Sequence, residues 1–331
     1  MSITAVAREA GVSTSTVSRY LKGELQLRAD TEERIRAAMS ARGYSAPRRE
    51  IGMLALIIPE LANPYFAQLT QALTDAAHHR GLEVSVFVSD GLESRERAIV
   101  AQSARTGGGS CDAAVLVSMT GSAAVLDGVP DEFPFVVLDE KIDGELAEQR
   151  PFVGADNFEG AYQATTFLIS RGHRRIGHVA GPGRLLSARD RLRGYLQALR
   201  DSGLSTDPAL VLEGPYSGSF GASALSQVQR LPEPPTAVFA GSDVVAIGIA
   251  SAAPMHGVRI PEDLSLIGFD GIEQGAWVSP RLSTVVQPLQ DLARNALDMV
   301  EAAMDGADPV RRLLPMELRI AESVVGAPSG H

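Results

Sequence analysis

The chain has 331 residues, 45% hydrophobic and 21% charged, with a formal net charge of −10 and one cysteine. Such a length exceeds one average domain, and the balance is that of a folded globular chain rather than a disordered one. A lone cysteine excludes an internal disulfide framework and fits a reducing compartment. The N-terminus carries no basic-then-apolar export segment, and no apolar run nears the roughly 20 residues that span a bilayer. A cytoplasmic protein with no membrane partner is expected.

Charge is unevenly spread. The first 50 residues hold nine Lys/Arg and six Asp/Glu, a net of +3, so the remainder carries −13. A cationic head on an anionic body is expected where only the head touches phosphates. In that head, Ile3, Val6, Ala7 and Ala10 recur at helical spacing and form one apolar face. Gly11 suits the left-handed backbone of a sharp turn, and Ser13 suits the N-cap of a second helix. Val17, Tyr20 and Leu21 can face the first helix, which leaves Thr14, Ser15, Ser18 and Arg19 outward. A helix of that kind enters a major groove, where Arg19 can fork onto guanine. The same pattern alone also fits a plain helical hairpin with a polar face. A third helix is expected over about 31–42, with Asp30 and Glu33 as a capping box and Ile35, Ala38 and Met39 buried.

Beyond the head, short apolar runs alternate with helical stretches. Strands are expected at 54–58, 84–88, 113–117 and 135–138, with helices at 64–80 and 94–105. A second series places strands at 176–180, 211–212, 237–240 and 264–269, with helices at 188–202, 221–231 and 244–253. Near-continuous apolar strands separated by helices imply parallel sheets covered on both faces. Two such series imply two α/β lobes, with a ligand cleft at the carboxyl ends of the strands. A helix over 289–304 and a late strand over 313–320 follow and are expected to return across the hinge.

Polar residues gather just after these strands: Asp90, Ser118, Asp139, Asp156, Ser242 and Asp270. Carboxylates there can accept paired hydrogen bonds from vicinal hydroxyls, and Phe66 or Tyr216 can stack on a sugar ring. Each Asp equally suits an N-cap for the next helix. Motifs of catalysis are missing: there is no P-loop, no Gly-x-Ser-x-Gly, no His-Glu-x-x-His and no Cys-x-x-Cys. Gly181-Pro-Gly183 begins like a dinucleotide fingerprint but ends in Leu186 where the third Gly belongs. His78, His79, His173 and His178 lack partners at metal-ligand spacing and read as surface or packing residues. No enzyme, metal or cofactor is expected.

Taken together these residues resemble the lactose/galactose repressor (LacI/GalR) family of bacterial transcription regulators. The resemblance runs through Val6-Ala-x-x-Ala-Gly-Val-Ser-x-x-Thr-Val-Ser-Arg19 and Ile57-Ile-Pro-Glu-Leu-Ala-Asn-Pro-Tyr-Phe66. It continues through Asp156-Asn157 with Gly160, Arg171-Gly-His-x-x-Ile176, Ala180-Gly-Pro182, Ser242-Asp-x-x-Ala-x-Gly248 and Pro261-Glu-Asp-Leu-Ser-Leu-Ile-Gly-Phe-Asp270. It implies an α/β chain: an N-terminal three-helix helix-turn-helix head plus a two-lobed, periplasmic-binding-protein-like effector domain with parallel sheets. It also implies a homodimer on a near-palindromic, double-stranded operator and a small effector, sugar-like, in the cleft. By the resemblance Thr14, Ser15 and Arg19 contact bases, while Ser2, Ser13, Ser18, Lys22, Thr31 and Tyr44 contact phosphates. In the cleft it gives Phe66 as ring stacker with Asp139, Arg191, Tyr216, Ser242, Asp270 and Gln287.

One segment departs from the family. Members usually carry a hinge with a leucine that wedges into the minor groove, but here Gly43-Tyr44-Ser-Ala-Pro47-Arg48-Arg49-Glu50-Ile51-Gly52 runs almost directly into the first strand. Arg48 and Arg49 are therefore expected to form a short arm against phosphates or the minor groove, in place of a kinking wedge. The expected division is a head over 1–47, a shortened linker over 48–52 and an effector-binding and dimerisation region over 53–326. Within it the first lobe takes about 53–156 and 288–310, and the second about 157–287 and 311–326. Two rivals are a sugar-binding transport component, which needs an export signal and has no use for a basic head, and an intracellular α/β enzyme acting on a sugar or nucleotide. A purine or amino-acid derivative is an alternative effector to the sugar.

Overall fold

Three short helices open the chain: α1 (Ile3–Ala10), α2 (Thr14–Leu21) and α3 (Ala29–Arg42). The computed structural model describes residues 3–21, 25, 27–42, 52–104 and 111–328. Ser2, Lys22 and residues 43–51, among them Tyr44, Arg48 and Arg49, lie outside the described residues. The helical spacing of the sequence becomes one small core, in which Val6, Ala7 and Ala10 meet Val17, Ile35 and Ala38. Gly11 turns the chain at φ +67°, a backbone that costs a side chain dearly, and the Ser13 Oγ accepts from the Thr16 amide at 3.0 Å. The expected capping box of α3 does not form. The helix begins earlier, at Ala29, because the Arg28 carbonyl already accepts from the Thr31 and Glu32 amides. Asp30 thus sits inside the first turn, where its carboxylate takes the Thr31 hydroxyl at 3.3 Å.

The body alternates strand and helix. Its first part contains β1 (Met53–Ile58), α4 (Pro64–His78), β2 (Glu83–Val88), α5 (Glu93–Ser103), β3 (Ala113–Leu116), β4 (Phe135–Leu138), α6 (Glu145–Glu148) and β5 (Phe152–Ala155). The second part contains α7 (Asn157–Ser170), β6 (Ile176–Ala180), α8 (Leu186–Asp201), β7 (Val211–Glu213), α9 (Gly218–Val228), β8 (Ala237–Ala240), α10 (Asp243–Ala252), β9 (Ser265–Asp270) and β10 (Ser283–Val286). The chain then returns through α11 (Leu289–Met304), β11 (Arg311–Leu314) and β12 (Glu317–Arg319).

Two six-stranded sheets result, ordered β11-β5-β4-β3-β1-β2 and β12-β10-β9-β8-β6-β7. The first is parallel throughout; in the second only the edge strand β12 runs antiparallel, against β10. Strand alternation explains the unbroken apolar runs. Leu54, Leu56 and Ile58 face α4 and α11, while Ala55 and Ile57 face the opposite core with Val100 and Leu126. The second sheet repeats this, with Phe239 and Ile267 toward α7 and α8, and Val238 and Leu266 toward α10.

The late strand expected over 313–320 is two strands, and the lobe boundary moves with it. β11 pairs with β5 in the first sheet, so residues 311–314 belong to the first lobe, not the second. Pro315, which has no amide to donate, interrupts the run before β12 joins the second sheet. The chain therefore crosses between lobes three times: after β5, after β10 and after β11. His173 and His178 are packing residues. His178 stacks between Tyr195 and Phe239, at ring centroid distances of 5.0 and 4.7 Å, and burial pushes its pKa down to about 4. His78 and His79 lie exposed at the end of α4. Among the described residues no helix is long and apolar enough to cross a membrane.

Candidate DNA-reading face and interlobe site

Helix α2 buries Val17 and leaves Thr14, Ser15 and Arg19 exposed on its far side. Tyr20 ties this helix to α3: its hydroxyl donates to Glu32 at 2.9 Å and accepts from the Arg36 Nε at 3.2 Å. The face opposite is thus held rigidly outward, with short hydroxyls and one guanidinium. Ser13 is engaged as N-cap and lies 2.6 Å from the Thr16 hydroxyl. Ser18 and Thr31 are half-buried, and the Thr31 hydroxyl accepts from Arg34 at 3.4 Å.

The second site lies between the sheets, at the carboxyl ends of strands from both. Asp139 follows β4, Ser242 follows β8, Asp270 ends β9, Gln287 follows β10, and Arg191 projects from α8. The Tyr65 hydroxyl, on the first turn of α4, donates to Asp139 Oδ1 at 2.6 Å and lies 3.2 Å from Gln287 Oε1. Gln287 Nε2 donates to Asp270 Oδ1 at 3.0 Å, and Ser242 donates to Asp270 Oδ2 at 2.8 Å. Arg191 lies 3.4 Å from Asp270 Oδ1, donates through Nε to Asn157 Oδ1 at 2.8 Å and through Nη1 to the Gly241 carbonyl at 2.5 Å. Its guanidinium rests 3.8 Å over the Phe269 ring and 5.6 Å from that of Tyr216. Tyr216 needs Gly181 beneath it, because a Cβ there would come within 2.1 Å of the ring. The buried Tyr216 hydroxyl has no hydrogen-bond partner among the described residues, whereas such groups are normally satisfied.

Burial dominates the electrostatics. It pushes the Asp139 carboxyl up to about 6, against the opposing hydrogen bond of Tyr65 and the charge of Arg191. Asp270 is raised for the same reason, with Arg191 again opposing. Burial alone would lower Arg191, but the surrounding tyrosines and carboxylates outweigh it and hold the guanidinium charged. Tyr216 is pushed up to about 12, so its hydroxyl stays a neutral donor. Asp139 at φ +71° and Asp270 at φ +114° hold backbones that side chains rarely adopt, as functional residues often do.

Six expected effector residues therefore converge: Asp139, Arg191, Tyr216, Ser242, Asp270 and Gln287. Four do not join them. Asp156 is the N-cap of α7, accepting from the Glu159 amide at 3.0 Å, and its neighbour Asn157 takes the place at Arg191. Ser118 donates to the buried Glu96 at 2.9 Å within the first lobe. Asp90 is exposed and pairs with Arg95. Phe66 is 3% exposed in the core of the first lobe, edge-on to Tyr65 at 5.2 Å, so it does not present a free stacking face. Neither Tyr65 nor Asn157 is among the effector residues expected from the sequence. Each adjoins a residue that is, and only the first-turn geometry of its helix decides which neighbour points between the lobes.

Comparison with known proteins agrees with this layout. Residues 2–46 match bacterial regulatory proteins of the lacI family, and residues 165–324 match a periplasmic binding protein-like domain. The HTH-type transcriptional repressor CytR of Escherichia coli (strain K12) is 32% identical over 98% of this chain and 96% of its own length. The repressor PurR of Photorhabdus laumondii subsp. laumondii is 30% identical over 89% of this chain and 88% of its own. Among solved structures, the transcriptional regulator CelR in complex with cellobiose superposes with a TM-score of 0.73 at 29% identity, covering 98% of this chain and 99% of that one. The exposed face of α2, the two-lobed body and these full-length relatives coincide: the chain belongs to the lacI family of bacterial regulatory proteins and is a DNA-binding transcriptional regulator.

Proposed function

We propose that the chain is a cytoplasmic repressor of carbohydrate-utilisation genes, binding a near-palindromic operator as a homodimer and releasing or gaining it with a small sugar-like effector. One observation carries the effector half: a buried set of two carboxylates, an arginine, a glutamine and two tyrosine hydroxyls drawn from both lobes. Alternating acceptors and donors of that kind suit vicinal hydroxyls, and the Tyr216 hydroxyl awaits a partner. A relative of similar length held cellobiose. In the head, Thr14, Ser15 and Arg19 read bases. Ser2, Ser13, Ser18, Lys22, Thr31 and Tyr44 meet phosphates, with Arg48 and Arg49 as a short arm. The dimer uses the apolar groove of Pro64, Val244, Ile247, Met255 and Ile272, in which Met255 is 90% exposed.

Thermal-shift screening against neutral sugars and nucleosides tests the effector class. A ligand at 100 times its Kd stabilises the folded state by about 2.7 kcal/mol. A neutral sugar should raise the Tm of the wild type and not of Arg191→Ala. A response confined to nucleosides would overturn the sugar assignment.

A further inference from the structure

Helix α8 begins without a cap of its own: Leu185 stands at its N-cap and supplies no side-chain hydrogen bond. The cap comes from the other lobe. Glu140, just after β4, is 2% exposed, and its Oε1 accepts from the Leu186 amide at 2.7 Å and from the Ser187 amide at 3.2 Å. Its Oε2 takes the Ser187 hydroxyl. An acceptor at a helix N-terminus meets both unsatisfied amides and the positive end of the helix dipole. The contact is flanked by a second one between lobes, from the Arg184 Nε to the Met119 carbonyl at 3.4 Å.

Position matters as much as strength. Ser187 and Arg191 are four residues apart and share a face of α8, and Asp139 and Glu140 are adjacent on the first lobe. The turn that offers Asp139 to the interlobe cluster thus also holds the helix that delivers Arg191. We infer that Glu140 is a positioning residue, a clasp that caps α8 across the interlobe gap and holds the two lobes closed before any effector arrives. An effector then enters through a minor open state and meets a preformed site. The clasp rests on the two-lobed reading alone and is independent of effector class.

The test uses the full-length, ligand-free protein on a Cys111→Ser background. Nitroxide labels go at exposed Asp127 in the first lobe and exposed Arg200 in the second. Labelled chains are diluted with unlabelled ones, so that pulsed dipolar spectroscopy reads distances within one chain. The wild type should give a single narrow distribution. Glu140→Ala should shift it several ångström longer. Ser187→Ala should shift it the same way by less, and the double variant should move no further than Glu140→Ala. Glu140→Gln, which keeps one acceptor oxygen, should restore most of the narrow population, and Glu145→Ala at an exposed neighbouring position should change nothing. A Glu140→Ala distribution that overlays the wild type would overturn the clasp, as would equal broadening by Glu145→Ala. If Glu140→Ala fails to fold, Ser187→Ala decides by the same reading. Because no effector is present, loss of the sugar assignment would leave this result standing.

Discussion

At the scale of single residues, the pair Arg191–Asp270 sets the character of the interlobe site. Both groups are nearly inaccessible, with side chains 6% exposed. Removing one partner of a buried pair leaves the other charge uncompensated, so Arg191→Ala should cost about 3–5 kcal/mol of folding free energy. Urea unfolding checks this, and a loss under 1 kcal/mol (a surface value) would contradict it. Arg191→Lys should not rescue, since an ammonium cannot serve Asn157, Gly241 and the Phe269 face together. Asp156→Ala, by contrast, should cost about 1 kcal/mol as a lost helix cap and leave effector binding intact. A lost effector response in Asp156→Ala would return that residue to the site. The sequence places polar residues at strand ends correctly but cannot say which ones the site uses. Asp139, Asp156 and Asp270 look alike along the chain. Asp139 turns to Tyr65 and Asp270 to Arg191 in the interlobe cluster, while Asp156 folds back onto its own helix, a choice made for the first two by partners tens of residues away.

At the scale of elements, periodicity read well and punctuation less so. Most helices and strands lie where apolar spacing puts them, because sheets buried on both faces demand continuous apolar runs. The elements α6, α7, β5 and β10 have no counterpart among those expected. Three finer features also escape. The start of α3 follows the Arg28 carbonyl rather than the side-chain pair, the break at Pro315 splits one strand between two sheets, and the cap of α8 comes from another lobe. Glu140 carries a pH signature. Burial, reinforced by the charge of Asp139, pushes its carboxyl up to about 7 against the opposing hydrogen bonds of Ser187 and Leu186. A carboxyl raised on folding favours the native state most below its unfolded pKa and loses that contribution as pH rises through the folded value. The Tm of the wild type relative to Glu140→Gln should therefore fall between about pH 5 and pH 8. A constant or rising difference would show that the carboxyl stays ionised in the folded chain.

At the scale of the whole molecule, a basic head joins an acidic body that would itself repel DNA, so contact is confined to the head. The interlobe crossings make the body one hinge-linked pair of lobes, and the apolar groove at Met255 is the face proposed for a second copy. Met255→Glu should convert dimer to monomer in light scattering and weaken operator binding; an unchanged dimer would move the interface elsewhere. The central claim is that the outward face of α2 reads base sequence. Fluorescence anisotropy against operator and random duplexes, across a salt series, tests it most directly. The wild type should lose affinity for both as log affinity falls linearly with log salt, yet keep its preference for the operator. Arg19→Ala should erase most of that preference while retaining the salt slope to within about one unit. An Arg19→Ala protein that discriminates operator from random DNA as well as the wild type would contradict the account.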